Sequence, residues 1–138
     1  MRFMLMPQRR LQKLTWGDGA PVIPILEVGP GMEKQLLERL TGCEALVLAL
    51  PGGGHIAGTN PDLLEAMAEK MPVVFASRTG GGETLTHSYG YAGGEVDLLR
   101  RGLIGSGWLD ARRARVALAI LQSCKASRAD IAAFFQAL

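Results

Sequence analysis

Three short, continuous apolar runs set the terms for this chain: VIPILEV at 22–28, ALVLALP at 45–51 and PVVFASR at 72–78. None alternates polar with apolar residues as a strand with one wet face does, and each is too short and too β-branched or continuous for a surface helix. Each therefore reads as a strand covered on both faces. The segments between them have a helical period. MEKQLLERLTG (32–42) gathers Met32, Leu36, Leu37 and Leu40 and ends in a glycine suited to a helix C-terminus, while NPDLLEAMAEK (60–70) opens with Asn60 as N-cap and Pro61 in the first turn. Strands that alternate with helices of about ten residues imply βαβ units and a parallel sheet. GEVDLLRRG (94–102) adds a helix, and LIGSG (103–107) fits a short fourth strand.

Glycine divides the rest. All 18 glycines fall between Gly17 and Gly107, which leaves the C-terminal tail free of them. DARRARVALAILQSC (110–124) places Ala114, Val116, Ala117, Ile120, Leu121 and Cys124 toward one side of a helix capped by Asp110, and Ser127 can cap a second, RADIAAFFQAL. The expected fold is a three-layer α/β sandwich with a small parallel sheet, Rossmann-like, in one domain over 21–138. Residues 1–20 fit no element and read as a basic N-terminal arm or linker.

Length and composition exclude several function classes. With 138 residues, 48% of them apolar, the chain buries a core without staples but has no room for a second full domain. Four basic residues against one acidic in 1–20 supply the net charge, while 21–138 holds 11 basic and 12 acidic groups. That neutral body, with 6% aromatic residues, argues against a nucleic-acid partner. Cys43 and Cys124 form no CxxC, and His55 and His87 are the only histidines, so no metal and no cofactor is expected. Free thiols, the lack of a signal-peptide pattern and the lack of an apolar run of about 20 residues point to a cytoplasmic protein with no membrane partner.

In a parallel sheet, ligands bind beyond the C-terminal ends of the strands, which directs attention to the loops after 28, 51 and 78. PGGGHIAGTN (51–60) could turn backbone N–H groups toward a carboxylate-bearing small molecule, or its glycines, Gly53 and Gly54 among them, could serve the turn alone. It lacks the lysine and hydroxyl of a P-loop. SRTGGGETLTHSYGYAGGEVD (77–97) is long enough to be functional. Within it Arg78 could meet a substrate carboxylate or tie loop carbonyls together. His55 and His87 are lone histidines, and Glu95 suits a helix start through the dipole alone. No nucleophile and base can be paired, so the residues offer a pocket without a catalytic set.

The order GGGHIAG, NPDLLEAM, MPVVFASRTGGG and YGYAGGEVDLLRRGLIGSGWLDARRARVALAI resembles the C-terminal domain of bacterial L-asparaginases, the asparaginase/glutaminase amidohydrolases, over roughly residues 20–136. The resemblance implies that the nucleophilic threonine belongs to a separate, larger N-terminal catalytic domain. Thr79-Gly80-Gly81-Gly82 echoes that domain's Thr-Gly-Gly-Thr motif but sits in the C-terminal domain's own loop. It also implies that His55, ending a GxGxG(N/H) loop, and Glu95 bind substrate, lined by Gly53, Gly54, Arg78 and Thr79. Leu50 stands where that loop has its first glycine, and His55 where asparagine is commoner. No residue here is assigned a catalytic role.

The substrate implied is a small amino-acid amide, with the chain inactive alone. The alternative is a free-standing module that binds an acidic amino acid. His55 and Glu95 are expected to be solvent-accessible beside one crevice. A homo-oligomer is expected, with Ala114, Leu118, Leu121, Ile131, Phe134 and Phe135 left uncovered to drive it.

Overall fold

A computed structural model describes residues 19–29, 34–40, 42–57 and 61–138. The proposed arm at 1–20 lies almost wholly outside them, as do Met32 and Asn60. Four strands, β1 (Ile25–Glu27), β2 (Leu46–Leu50), β3 (Val73–Ser77) and β4 (Ile104–Gly105), pair in parallel in the order β1-β2-β3-β4. The helices are α1 (Lys34–Glu38), α2 (Pro61–Lys70), α3 (Glu95–Arg100), α4 (Ala111–Ser123) and α5 (Arg128–Gln136). All three apolar runs thus become parallel strands, and LIGSG supplies the fourth.

The layers follow from the connections. Successive parallel crossovers of one hand put their helices on one face of the sheet. There Leu37 of α1, Leu64 and Met67 of α2 and Leu98 of α3 pack on Leu46, Leu48, Leu50, Val73 and Phe75. The opposite face, Ala45, Val47, Ala49, Val74, Ala76 and Ile104, is covered by α4 and α5, which follow the last strand. The residues β2 turns to α4 are smaller than those it turns to α2, which lets α4 approach closely.

The structure corrects four details. β1 is an edge strand rather than a fully covered one: Ile25 and Glu27 are exposed, and the run contributes to the core through Ile23 and Val28 at its flanks. Leu36 is exposed because α1 presents only Leu37 inward. The buried stripe of α4 is Ala111, Ala114, Leu118 and Leu121, so Val116 faces outward. Of the residues expected to be uncovered, Ala114, Leu118, Leu121, Ile131 and Phe135 are buried and Phe134 is half-buried, because they fill the space over the small-residue face of the sheet.

Two of the expected caps, Asp110 and Ser127, are present. Asp110 accepts a bond from the Arg113 amide, and Ser127 and Asp130 form a reciprocal capping box. Cys43 and Cys124 are half-buried and are not joined in a disulfide. No helix among the described residues is long and apolar enough to cross a membrane.

Candidate functional site

β2 ends at Leu50 and β3 at Ser77, on neighbouring strands in register, so the loops that follow them start side by side. The two loops then bond to one another through the backbone. Leu85 N–H donates to Gly53 O at 2.8 Å, and Ile56 N–H donates to Gly93 O at 2.9 Å. Glycine makes that approach possible at two positions. Gly54 has φ +118° and a Cβ there would lie 2.6 Å from the Phe75 ring; Gly93 has φ +86° and its Cβ would lie 2.3 Å from Ile56 O.

This junction brings His55 and Glu95 together. Glu95 is the first residue of α3, and its side chain is fully buried. Its Oε1 accepts bonds from Ser88 N–H at 2.6 Å and Tyr89 N–H at 2.7 Å. These are loop amides, so the carboxylate orders the 78–94 loop rather than answering the helix dipole alone. Glu95 Oε2 is buried and has no hydrogen-bond partner. The expectation that Glu95 is solvent-accessible is therefore overturned, since the loop it organises closes over it. His55 keeps 22% of its side chain exposed, with Nδ1 at 3.8 Å from Glu95 Oε2.

Two tyrosines absent from the sequence-based site complete the cluster. Tyr91 Oη lies 3.1 Å from His55 Nδ1, and its ring stacks on the imidazole at 5.8 Å. Tyr89 meets the imidazole edge-on at 5.0 Å. Both rings are about half exposed. The pair Tyr89-Gly90-Tyr91 in a glycine-rich loop, where apolar surface gains nothing by exposure, was the available signal.

Of the remaining sequence candidates, Arg78, Thr79 and His87 lie apart. Arg78 pairs with Glu27 at 3.1 Å, joining the ends of β3 and β1, neither of the roles considered for it. Ser77 Oγ donates to Gly52 O at 2.7 Å and lies 2.8 Å from Thr79 Oγ1, which contacts Gly81 O at 3.0 Å. These hydroxyls brace the loop, and no base is among their contacts. Gly53 packs on Leu85 and Gly54 on Phe75, so they form the floor of the junction rather than an open lining. His87 is exposed and lines a groove of about 600 Å³ along β4 with Trp108, Arg128 and Gln136, which does not include His55 or Glu95.

Behind the cluster, Asp97 Oδ2 accepts from Gly93 N–H and from Arg101 Nε, each at 3.0 Å. Arg101 also reaches Asp62 and Glu65 of α2 at 2.7 and 2.6 Å. The Gly93 amide, more than Arg101, holds the Asp97 carboxyl below its ordinary value, against the opposing effect of burial. Among the described residues no three His, Cys, Asp or Glu side chains gather as a metal site. Chemically, the junction holds one buried carboxyl oxygen without a hydrogen-bond partner, beside an imidazole that stays partly exposed.

Residues 22–135 match the Glutaminase/Asparaginase C-terminal domain. The chain is 42% identical over 100 residues to a "Probable L-asparaginase" of Deinococcus radiodurans, an alignment that covers 72% of this chain and 29% of that protein. It thus spans less than a third of that relative's length. Its fold is similar to that of the thermostable L-asparaginase from Thermococcus kodakarensis, with a TM-score of 0.75 at 18% identity over 84% of this chain and 36% of that one.

Proposed function

Since the chain belongs to the Glutaminase/Asparaginase C-terminal domain family, we propose that it is the C-terminal part of an L-asparaginase-like amidohydrolase. In that reaction water cleaves the side-chain amide of L-asparagine to give L-aspartate and ammonia. The attacking hydroxyl and its base would come from a separate N-terminal catalytic domain. This chain would contribute His55 and Glu95 to the amino-acid site, with Gly53, Gly54, Arg78 and Thr79 shaping the loops around them.

The observation that carries the reading is the buried, unpartnered Glu95 Oε2, held 3.8 Å from His55 within the region that matches the family. A carboxyl oxygen withdrawn from water and left without a hydrogen-bond partner is costly unless a ligand supplies one. The α-ammonium group of an amino acid is such a donor. Among the described residues, the hydroxyls of Ser77 and Thr79 bond to each other, to carbonyl oxygens and to the Thr79 amide, with no base among these contacts.

The same reading makes residues 21–138 the domain, 1–20 a basic arm, the setting cytoplasmic and the assembly a homo-oligomer. With the tail's core residues buried, the strip left for contact is Leu109, Val116, Ile120 and Phe134 beside Arg112 and Arg113. Purified chain should release no ammonia from L-asparagine or L-glutamine. Turnover above about one per second, near the low end for enzymes, would overturn the assignment of the nucleophile to another domain. Sedimentation of the same sample tests assembly, a single species of monomer mass being the contrary result.

A further inference from the structure

Nδ1 of His55 sits between two oxygens, Tyr91 Oη at 3.1 Å and Glu95 Oε2 at 3.8 Å. Only the first is at hydrogen-bond distance. The carboxylate would be the better acceptor for an Nδ1–H, since charge-assisted bonds are shorter and stronger than neutral ones. A protonated Nδ1 would therefore draw the ring onto Oε2 and satisfy it. Oε2 instead has no partner. The ring stays with the neutral hydroxyl, which is the arrangement expected when Tyr91 donates its O–H to an unprotonated Nδ1 and the imidazole proton is on Nε2. Tyr91 stacked on the imidazole and Tyr89 against its edge hold the ring in that orientation. Among the described residues, the titratable groups recorded against His55 are these two tyrosines and Glu95.

We propose that Tyr91 is a positioning residue: by occupying Nδ1 it fixes His55 as the Nε2–H tautomer, keeps it off Glu95 and leaves the buried Oε2 without a donor. His55 then presents a donor and Glu95 an acceptor, a pair that fits a zwitterionic amino acid. That last step rests on the function proposed above. The tautomer does not.

The test is imidazole ¹⁵N NMR of the 138-residue chain, with His87 assigned through His87→Asn. In the unsubstituted chain, His55 should carry its neutral-form proton on Nε2. In Tyr91→Phe, which keeps the ring, the proton should move to Nδ1 as it pairs with the carboxyl of Glu95. In Tyr91→Phe/Glu95→Gln that move, which needs the carboxylate, should be lost. An unchanged tautomer in Tyr91→Phe, with amide spectra showing the fold intact, overturns the proposal. Titration with L-aspartate separates the two claims. Tyr91→Phe should bind about tenfold more weakly, the worth of one charge-assisted bond, and equal binding overturns the claim that Tyr91 keeps His55 off Oε2. If the unsubstituted chain ignores L-aspartate while the tautomer shifts as expected, the amino-acid reading fails and the positioning role stands.

Discussion

The layer made by α4 and α5 and the junction of the loops after β2 and β3 are both buried, yet they are held by opposite means. In the layer, Ala111, Ala114, Leu118 and Leu121 repeat at helical spacing and settle on small residues of the sheet, with side-chain caps at both helix starts. In the junction, Gly93 brings backbone against the Ile56 carbonyl, Gly54 admits the Phe75 ring, and one carboxylate draws in two amides. A side-chain interface can relax around a lost methyl group. A contact between main chains has no such slack, so the junction should be the less tolerant of the two regions.

Gly93→Ala is the most severe test of that contrast. The new methyl would sit 2.3 Å from Ile56 O at a φ of +86°, so the loops must part or the backbone must change region. Parting them also removes the Gly93 amide from Asp97. A loss of about 4 kcal/mol is expected from left-handed strain together with broken buried bonds, read as the shift in urea unfolding. A loss under about 1 kcal/mol, the cost of a mere turn preference, would break the comparison. Leu118→Ala should cost less, about 3 kcal/mol for a buried leucine whose cavity partly collapses. Its second readout sharpens the contrast: the His55 and Tyr91 resonances should stay in place, because α4 contacts the far face of the sheet. Movement of those signals would show the two regions to be one cooperative unit.

That difference in construction also decides what the sequence could reveal. Parallel strands and the helices between them rest on periodicity, so VIPILEV, ALVLALP and PVVFASR were legible as strands, and Asp110 and Ser127 as caps, before any coordinates. The error over Val116 shows the limit, since a helix with apolar residues on several sides does not declare which stripe meets the sheet. The pairing of His55 with Glu95 across 40 residues has no period, and it entered only through resemblance to a family. Burial of Glu95 was illegible for a physical reason: a carboxylate at a helix start looks the same in sequence whether it caps into solvent or is enclosed by its own loop. Tyr91 left a weak signal in Tyr89-Gly90-Tyr91, but its partner was illegible, because a stacking contact of an exposed ring leaves no spacing pattern.

The smallest expected effect tests whether the junction's tolerance extends to charge. Asp97 accepts two bonds on one oxygen, and its carboxyl is held below its ordinary value of 3.8, first by the Gly93 amide and then by Arg101. A carboxyl depressed in the folded state stabilises the protein at every pH above its unfolded value and loses that contribution as pH falls through the folded one. Asp97→Asn keeps the side-chain shape and an acceptor oxygen for Gly93 but gives up the charge. The variant should therefore be less stable than the unsubstituted chain at pH 7, and the gap should narrow as pH drops below about 3.8. Asp130, depressed by its capping box with Ser127, titrates in both proteins and cancels from the difference. Urea midpoints of the two proteins at pH 7 and pH 3 provide the measurement. A gap that stays constant would mean that Asp97 acts through shape, as the residues of the α4–α5 layer do, and that the junction depends on its glycines and on Glu95 without help from this charge.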